Sequence, residues 1–492
     1  MPTAPLLRRP LVLAAVMAAT FMIAIEATIV STAMPQIAGQ LGDLHLYAWV
    51  FSAFLLTQTA TTVVFGKLAD LYGRKPVLLV GIAVFLAGSV LCGTAWSMPS
   101  LIVFRLVQGV GAGAIQPVAL TVVGDLYSVE ERGQIQGWLA SVWGVSSVLG
   151  PLAGGLIIRH FSWAWIFWIN VPVGLAAAAG FVAFLHERRA PETRTVDGAG
   201  AALFAAAVAS LMVALTEAGT PSGGATALAA ACVCAVSAAL FVAQERRARD
   251  PMLAYGLWAR RPIATANAAT LLSGMAVIGL TTFLPVYVQG VLNRSALVAG
   301  FALTMMVLGW PVGATIAAKN FPRFGLRATL LFGAALLPAG ALAFVVLAPG
   351  MSPAVAGLGS VVMGLGMGFL STSAIVLIQD SVGWAERGSA TASNIFSRNL
   401  GSTLGATALG AVLNIGLAHR AGGAAAVNFD RIRDLLDHPG AAAGDAAVRV
   451  ALGQSLHLTF WGVFLIAVSA LLAATLVPSV APGQGPRTAA AE

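Results

Sequence analysis

Charge is what this chain has least of. Only 9% of its 492 residues are Asp, Glu, Lys or Arg, against about 25% in a soluble globular protein. That scarcity excludes a soluble fold, and with 58% hydrophobic residues and a mean hydropathy of +0.88 the chain belongs in lipid. Cysteine is nearly absent. Cys92, Cys232 and Cys234 all lie in apolar runs, so they make neither a disulfide framework nor a metal site and read as small packing residues. The six histidines fall in loops or near helix ends without forming a ligand pair. With no nucleophile–base or metal constellation, the expectation is a protein that is not an enzyme and holds no metal or cofactor. No Walker motif is visible, so ATP is not expected to supply the energy. Gly109, Gly111 and Gly113, like Gly364, Gly366 and Gly368, mimic a nucleotide-binding loop. Neither set follows a strand, and close helix packing is the better account.

What the chain has in abundance is long apolar runs. Fourteen are long enough to cross a bilayer: about 11–33, 46–68, 77–96, 101–123, 136–158, 163–185, 197–216, 224–244, 263–288, 297–318, 328–348, 353–377, 393–416 and 456–478. All are expected to be helices, because lipid offers the backbone no other hydrogen-bond partners. Arg8 and Arg9 precede the first run as they would in a signal peptide. The run is too long for one, lacks a small-residue cleavage site and carries Glu26, so it reads as helix 1. A net charge of +8 could suggest nucleic acid. The basic residues, however, sit in short loops between apolar runs, which is a topogenic pattern, and no nucleic-acid partner is expected. With both termini cytoplasmic, nineteen Lys and Arg fall inside and six outside, while Arg105 and Arg398 lie within helices. That bias orients the chain in a plasma membrane.

Glu26 is the focus. A carboxylate midway along an apolar run costs several kcal/mol and is a functional-site hypothesis by default. Burial disfavours its charged form, so it can load and release a proton; the competing reading is an acid capped by a neighbouring hydroxyl such as Thr20, Thr28, Ser31 or Thr32. Arg105 lies within helix 4. At 1.5 Å per residue Glu26 is roughly 12 Å and Arg105 roughly 7 Å from the outer ends of their helices, so their levels could match. A coupling role for Arg105 competes with simple snorkelling to the outer interface. Asp125, Glu217 and Asp380 stand at helix ends and read as solvated termini.

The sequence also repeats. Asp70–Leu79 aligns with Pro322–Leu331 at an offset of 252. Glu131-Arg132-Gly133 followed by Leu149-Gly150 aligns with Glu386-Arg387-Gly388 followed by Leu404-Gly405 at an offset of 255. Helices 1–6 are thus expected to repeat as helices 9–14, with helices 7 and 8 inserted between the halves. Two halves around a shared site is the architecture of alternating-access transporters. Glu26 has no acidic counterpart near Ile278, so proton work is expected in the first half alone.

Four motifs carry a family resemblance. Gly66-Lys-Leu-Ala-Asp-Leu-Tyr-Gly-Arg-Lys-Pro-Val-Leu-Leu79 joins helices 2 and 3; Gly66 and Gly73 permit close approach and a tight turn, Asp70 suits a cation or an exposed helix N-terminus, and Arg74 and Lys75 suit the inner face. Gly144-Val-Ser-Ser-Val-Leu-Gly-Pro-Leu-Ala-Gly-Gly155 in helix 5 reads as a bent helix packed against a neighbour through Gly144, Gly150, Pro151, Gly154 and Gly155. Glu26-Ala-Thr-Ile-Val with Pro35, and Trp163-Ala-Trp-Ile-Phe-Trp-Ile-Asn-Val-Pro-Val-Gly174, complete the set. Together these resemble the major facilitator superfamily, and within it the fourteen-helix drug:proton antiporter branch. The resemblance implies that Asp70 with Arg74 locks the two halves together on the inner face, against the start of helix 13 near Ser389. It implies that Arg105 takes part in proton transfer and that the helix 5 motif marks an antiporter. In that branch the helix 1 acid is usually Asp, and Pro322 replaces the lock acid in the second copy.

The reading is an all-α polytopic membrane protein with a major facilitator fold. Residues 1–190 form an N-terminal six-helix bundle and 191–258 hold two inserted helices. Residues 259–480 form a C-terminal six-helix bundle with a long extracellular loop at 417–455, including a short helix around Phe429–Asp437, and 481–492 are a cytoplasmic tail. The expected function is proton-coupled export of lipophilic or cationic drugs by a monomer in a bacterial cell membrane. Gln58, Gln116, Trp143 and Trp310 are candidates for the substrate pocket. Export of one specific metabolite, such as an antibiotic, siderophore or amino acid, is the alternative, and a membrane scaffold or sensor the alternative outside transport.

Overall fold

A computed structural model describes residues 9–42, 46–187, 197–218, 223–248, 255–420 and 446–479. Those residues are almost entirely helical and contain no strand. The first bundle comprises α1 (Arg9–Leu41), α2 (Tyr47–Tyr72), α3 (Arg74–Gly93), α4 (Met98–Leu126), α5 (Val129–His160), α6 (Trp165–Trp168) and α7 (Asn170–Phe184). Then come α8 (Gly198–Ala218), α9 (Gly224–Glu245) and the short α10 (Tyr255–Trp258). The second bundle holds α11 (Arg261–Gly290), α12 (Ala296–Val345), α13 (Pro353–Asp380), α14 (Arg387–Arg420) and α15 (Ala446–Thr475).

Among the described residues, thirteen segments are long and apolar enough to span a membrane. One of them, Val298–Val345, has 48 residues, about 72 Å of helix and more than twice a bilayer core. It is broken at Gly325, whose φ of 78° and ψ of 164° are not helical. Counting its two arms separately gives the fourteen crossings expected from the sequence. Gly73, which separates α2 from α3, has a φ of 95° and ψ of 157°. Two glycines 252 positions apart therefore make the same turn, one that a side chain would strain. The sequence repeat is a backbone repeat.

The buried side chains divide the same way. Two clusters draw only on residues 12–185, and the largest draws on 257–477. A fourth brings Ala60 and Val63 of α2, Phe204, Val208 and Met212 of α8, Phe241 of α9 and Phe396 of α14 together. The inserted hairpin thus lies across the α2–α14 seam, and the Thr407 hydroxyl donates to the Leu215 carbonyl 3.2 Å away. The expected loop at 417–455 is shorter than the sequence suggested, because α14 continues to Arg420 and α15 starts at Ala446. Helical hydrogen bonding extends into both flanks, where Ala and Gly content had masked it. Residues 421–445, with the short helix expected at Phe429–Asp437, lie outside the described residues, as does the 481–492 tail.

Candidate functional site

Polar groups gather at two levels: in the middle of the first bundle, and at the face carrying the α2–α3 turn, the basic face. At mid-depth the Glu26 carboxylate is wholly buried on α1. It accepts hydrogen bonds from the Arg105 guanidinium of α4 and from the Asn170 amide of α7. Arg105 is itself 2% exposed, donates to the Val50 carbonyl of α2 at 3.1 Å and to Gln108 Oε1 at 2.7 Å, and lies 4.4 Å from the Phe54 ring centroid. Gln108 in turn donates to Ser89 Oγ of α3 at 2.8 Å. Four helices besides α1 therefore hold one carboxylate. The depth match expected for Glu26 and Arg105 is met, and Arg105 does not snorkel.

Local sequence explains the convergence. The span Trp165–Phe184 breaks at Ile169, between α6 and α7, and Asn170 opens the second piece. Arg105 and Gln108 are three apart and share a face of α4. Neither Asn170 nor Gln108 was singled out from sequence. Both are amides inside otherwise apolar stretches, and that isolation was the available signal. Removing one partner from such a buried pair costs about 3–5 kcal/mol, since the other charge is left uncompensated. Neutralising Glu26 would break the ion pair and leave Arg105 held only by the Val50 carbonyl and Gln108 Oε1, so the charge state of the acid and the arrangement of its partners are coupled.

At the basic face Asp70, 3% exposed, accepts from the Gly388 N–H at 2.8 Å, the Ser389 N–H at 2.7 Å and the Ser389 hydroxyl at 2.7 Å. These backbone donors are in the first turn of α14, so a residue of one bundle caps a helix of the other and meets the positive end of its dipole. Gly66 makes room, since a Cβ there would strike the Gly388 carbonyl and Ala392. Arg74 stands 3.2 Å from Asp70 and 2.9 Å from Asp125 of α4, bonds the Trp384 carbonyl at 2.5 Å and stacks 4.0 Å over the Trp384 ring. Arg387 reaches Asp125 at 2.7 Å and the Gly124 carbonyl at 3.1 Å. Farther out, Arg260 pairs with Glu386 at 2.9 and 3.2 Å.

The structure corrects several sequence readings. Asp125 is no solvated terminus: at 14% exposure it is the shared counter-ion of Arg74 and Arg387, brought there by the Asp70 turn that sequence spacing alone does not place. Lys75 points away from the lock, its Nζ donating to the Val182 carbonyl at 2.8 Å while its backbone N–H and that of Arg74 bond Glu187. In α5, Gly150 packs on Thr28 and Gly154 on Thr32 and Ile29, but Gly155 has nothing within 4 Å and Gly144 only Val307. Tight packing through the helix 5 motif is thus confined to one stripe of the helix. Gln58 and Gln116 approach to 3.4 Å. Trp143 is exposed, and Trp310 packs against the second bundle's core.

A membrane-embedded, twofold-repeated bundle with a polar lock at one face and a buried ion pair at mid-depth defines a secondary-transporter fold. The chain belongs to the Major Facilitator Superfamily, whose family model matches residues 16–406. It is 34% identical over 414 residues to the multidrug transporter protein MdtP of Bacillus subtilis, covering 83% of this chain and 76% of that one. It is 29% identical over 422 residues to the efflux pump FUS6 of Gibberella fujikuroi, covering 84% and 76%. In fold it matches the human transporter MFSD10 with a TM-score of 0.64 at 16% identity, over 93% of this chain and 99% of that one.

Proposed function

We propose that this chain is a proton-coupled antiporter that exports lipophilic or cationic drugs by alternating access. The observation that carries the reading is the Glu26 carboxylate, fully buried at mid-depth yet bonded to Arg105 and Asn170. Relatives named as a multidrug transporter and an efflux pump support drug export as the task. The basic face is taken as cytoplasmic, following the positive-inside rule. On this reading the Asp70 lock is the gate on the cytoplasmic side, and the cycle turns on opening it.

An external proton reaches Glu26, replaces the ion pair with Arg105, and frees the cargo to leave. Reopening of the lock lets the proton escape inward and readmits cargo. One acid buried at mid-membrane depth implies close to one proton per cycle, and a measured ratio well above one would contradict this. The test is dye export from proteoliposomes under an imposed pH gradient, native chain beside Glu26→Gln. The variant is expected to lose gradient-driven export, and unchanged coupling would remove Glu26 from the mechanism. A panel of unrelated dyes separates a multidrug pump, which exports many, from an exporter of a single metabolite, which exports none.

A further inference from the structure

Four side chains of α14 form a ladder along one stripe at helical spacing: Arg387, Thr391, Asn394 and Arg398. The lower three rungs are tied. Arg387 bonds Asp125 and Gly124 of α4, Thr391 accepts from Gln379 of α13, which also reaches the Leu120 carbonyl of α4, and Asn394 bonds Asn267 and Thr270 of α11. Its lower end reaches α4 of the other bundle, and from Asn394 onward it lies beside α11 of its own. Arg398 is the next rung inward, about 16 Å from the start of α14 and hence near mid-membrane. Among the described residues its guanidinium makes no hydrogen bond and no ion pair, whereas the buried arginines Arg74, Arg105 and Arg132 and the largely buried Arg387 each have a carboxylate or carbonyl partner. Its nitrogens are not closed off either: the side chain is half-buried and none of them is among the fully enclosed polar atoms that lack a partner.

An unpaired cation at this depth is costly wherever it faces lipid and is retained where it faces water or a ligand. The only acid at comparable depth among the described residues, Glu26, is fully enclosed and already bonded. The uncommitted charge at this depth among the described residues is therefore a guanidinium, whose planar fork matches a carboxylate.

We infer that Arg398 is a cargo-binding residue that takes a carboxylate or similar anionic group. This refines the exporter reading, on which it rests, to lipophilic compounds bearing such a group, zwitterions included.

The test uses the full chain in proteoliposomes and a matched dye pair, rhodamine B with its free carboxylate and its ethyl ester. Two quantities are read. One is the ratio of carboxylate to ester export under a pH gradient. The other is the rate at which phenylglyoxal modifies Arg398, followed by peptide mass spectrometry with either dye present. The carboxylate dye is expected to slow modification of Arg398 at least tenfold more than the ester does. Arg398→Gln is expected to lower the export ratio at least tenfold, and Arg398→Lys to restore part of it. Equal protection by both dyes, or a ratio unmoved in a monodisperse Arg398→Gln protein, overturns the inference. If the ester is exported but Arg398 is not selectively protected, the anion site fails and the exporter reading stands. If neither dye is exported yet the carboxylate protects Arg398, the site stands and the exporter reading fails.

Discussion

The two bundles share a backbone repeat and close against each other through two equivalent seams, but the seams are built from different chemistry. Where α2 meets α14, Gly66 approaches Gly388 and Ala392, and Asp70 caps α14 from the opposite bundle. Where α5 meets α12, Gly133 fits against Ala318 and Phe321 with no comparable acid, since Pro322 stands where Asp70 would. The helix ends differ to match. α5 caps itself, Ser128 and Glu131 exchanging hydrogen bonds of 2.8 and 3.3 Å. In α14 the corresponding acid, Glu386, is turned outward onto Arg260, and the first-turn donors are left for Asp70. One seam is therefore switchable, because its closure depends on a few directional charged contacts. The other has proline in place of the capping acid and a helix that caps itself, so it lacks that directional cross-bundle contact.

The largest break in that comparison is expected from Asp70→Ala. It removes three charge-assisted hydrogen bonds, each worth about 1.5–3 kcal/mol in isolation. Even a net 3 kcal/mol shifts the closed–open balance on the order of a hundredfold. Spin-label distances across α2–α14 at the basic face should broaden toward an open population, while those across α5–α12 should change little. Equal broadening at both seams would erase the distinction. Asp125→Asn comes next: Arg74 and Arg387 lose their shared counter-ion, and export is expected to fall roughly tenfold, with a smaller opening of the same seam. Ser389→Ala deletes one bond of three and keeps both backbone donors, so a shift of about 1 kcal/mol is expected, read as a few-fold rise in the open population. The smallest effect belongs to Ser128→Ala on the self-capped side. It should cost about 1 kcal/mol of stability, visible as a lower unfolding temperature, with the seam distances unchanged.

Much of this was legible in the sequence because membranes impose a short menu. The fourteen crossings follow from apolar run length. The repeat at 252 positions anticipated that Gly325 would turn as Gly73 does. The spacing of Gly66, Asp70, Gly73 and Arg74 anticipated a lock, and depth arithmetic paired Glu26 with Arg105. What was not legible is what tertiary contact decides. Asp125 looks like any helix-end acid until α3 and α14 place Arg74 and Arg387 on either side of it. Asn170 acquires meaning only because α7 begins beside α1 and aims its amide at Glu26. Gly155 carries the motif's spacing but faces open space, since a helix presents only one stripe to a neighbour.

The account rests on Glu26 as the group that carries the proton, and cargo-dependent proton flux tests it most directly. In proteoliposomes loaded with a pH-sensitive dye, the native chain should show proton movement that begins when cargo is added and tracks its export. Glu26→Gln should abolish that flux while still exchanging cargo down its own gradient. Equal cargo-dependent proton flux in the two proteins would contradict the account.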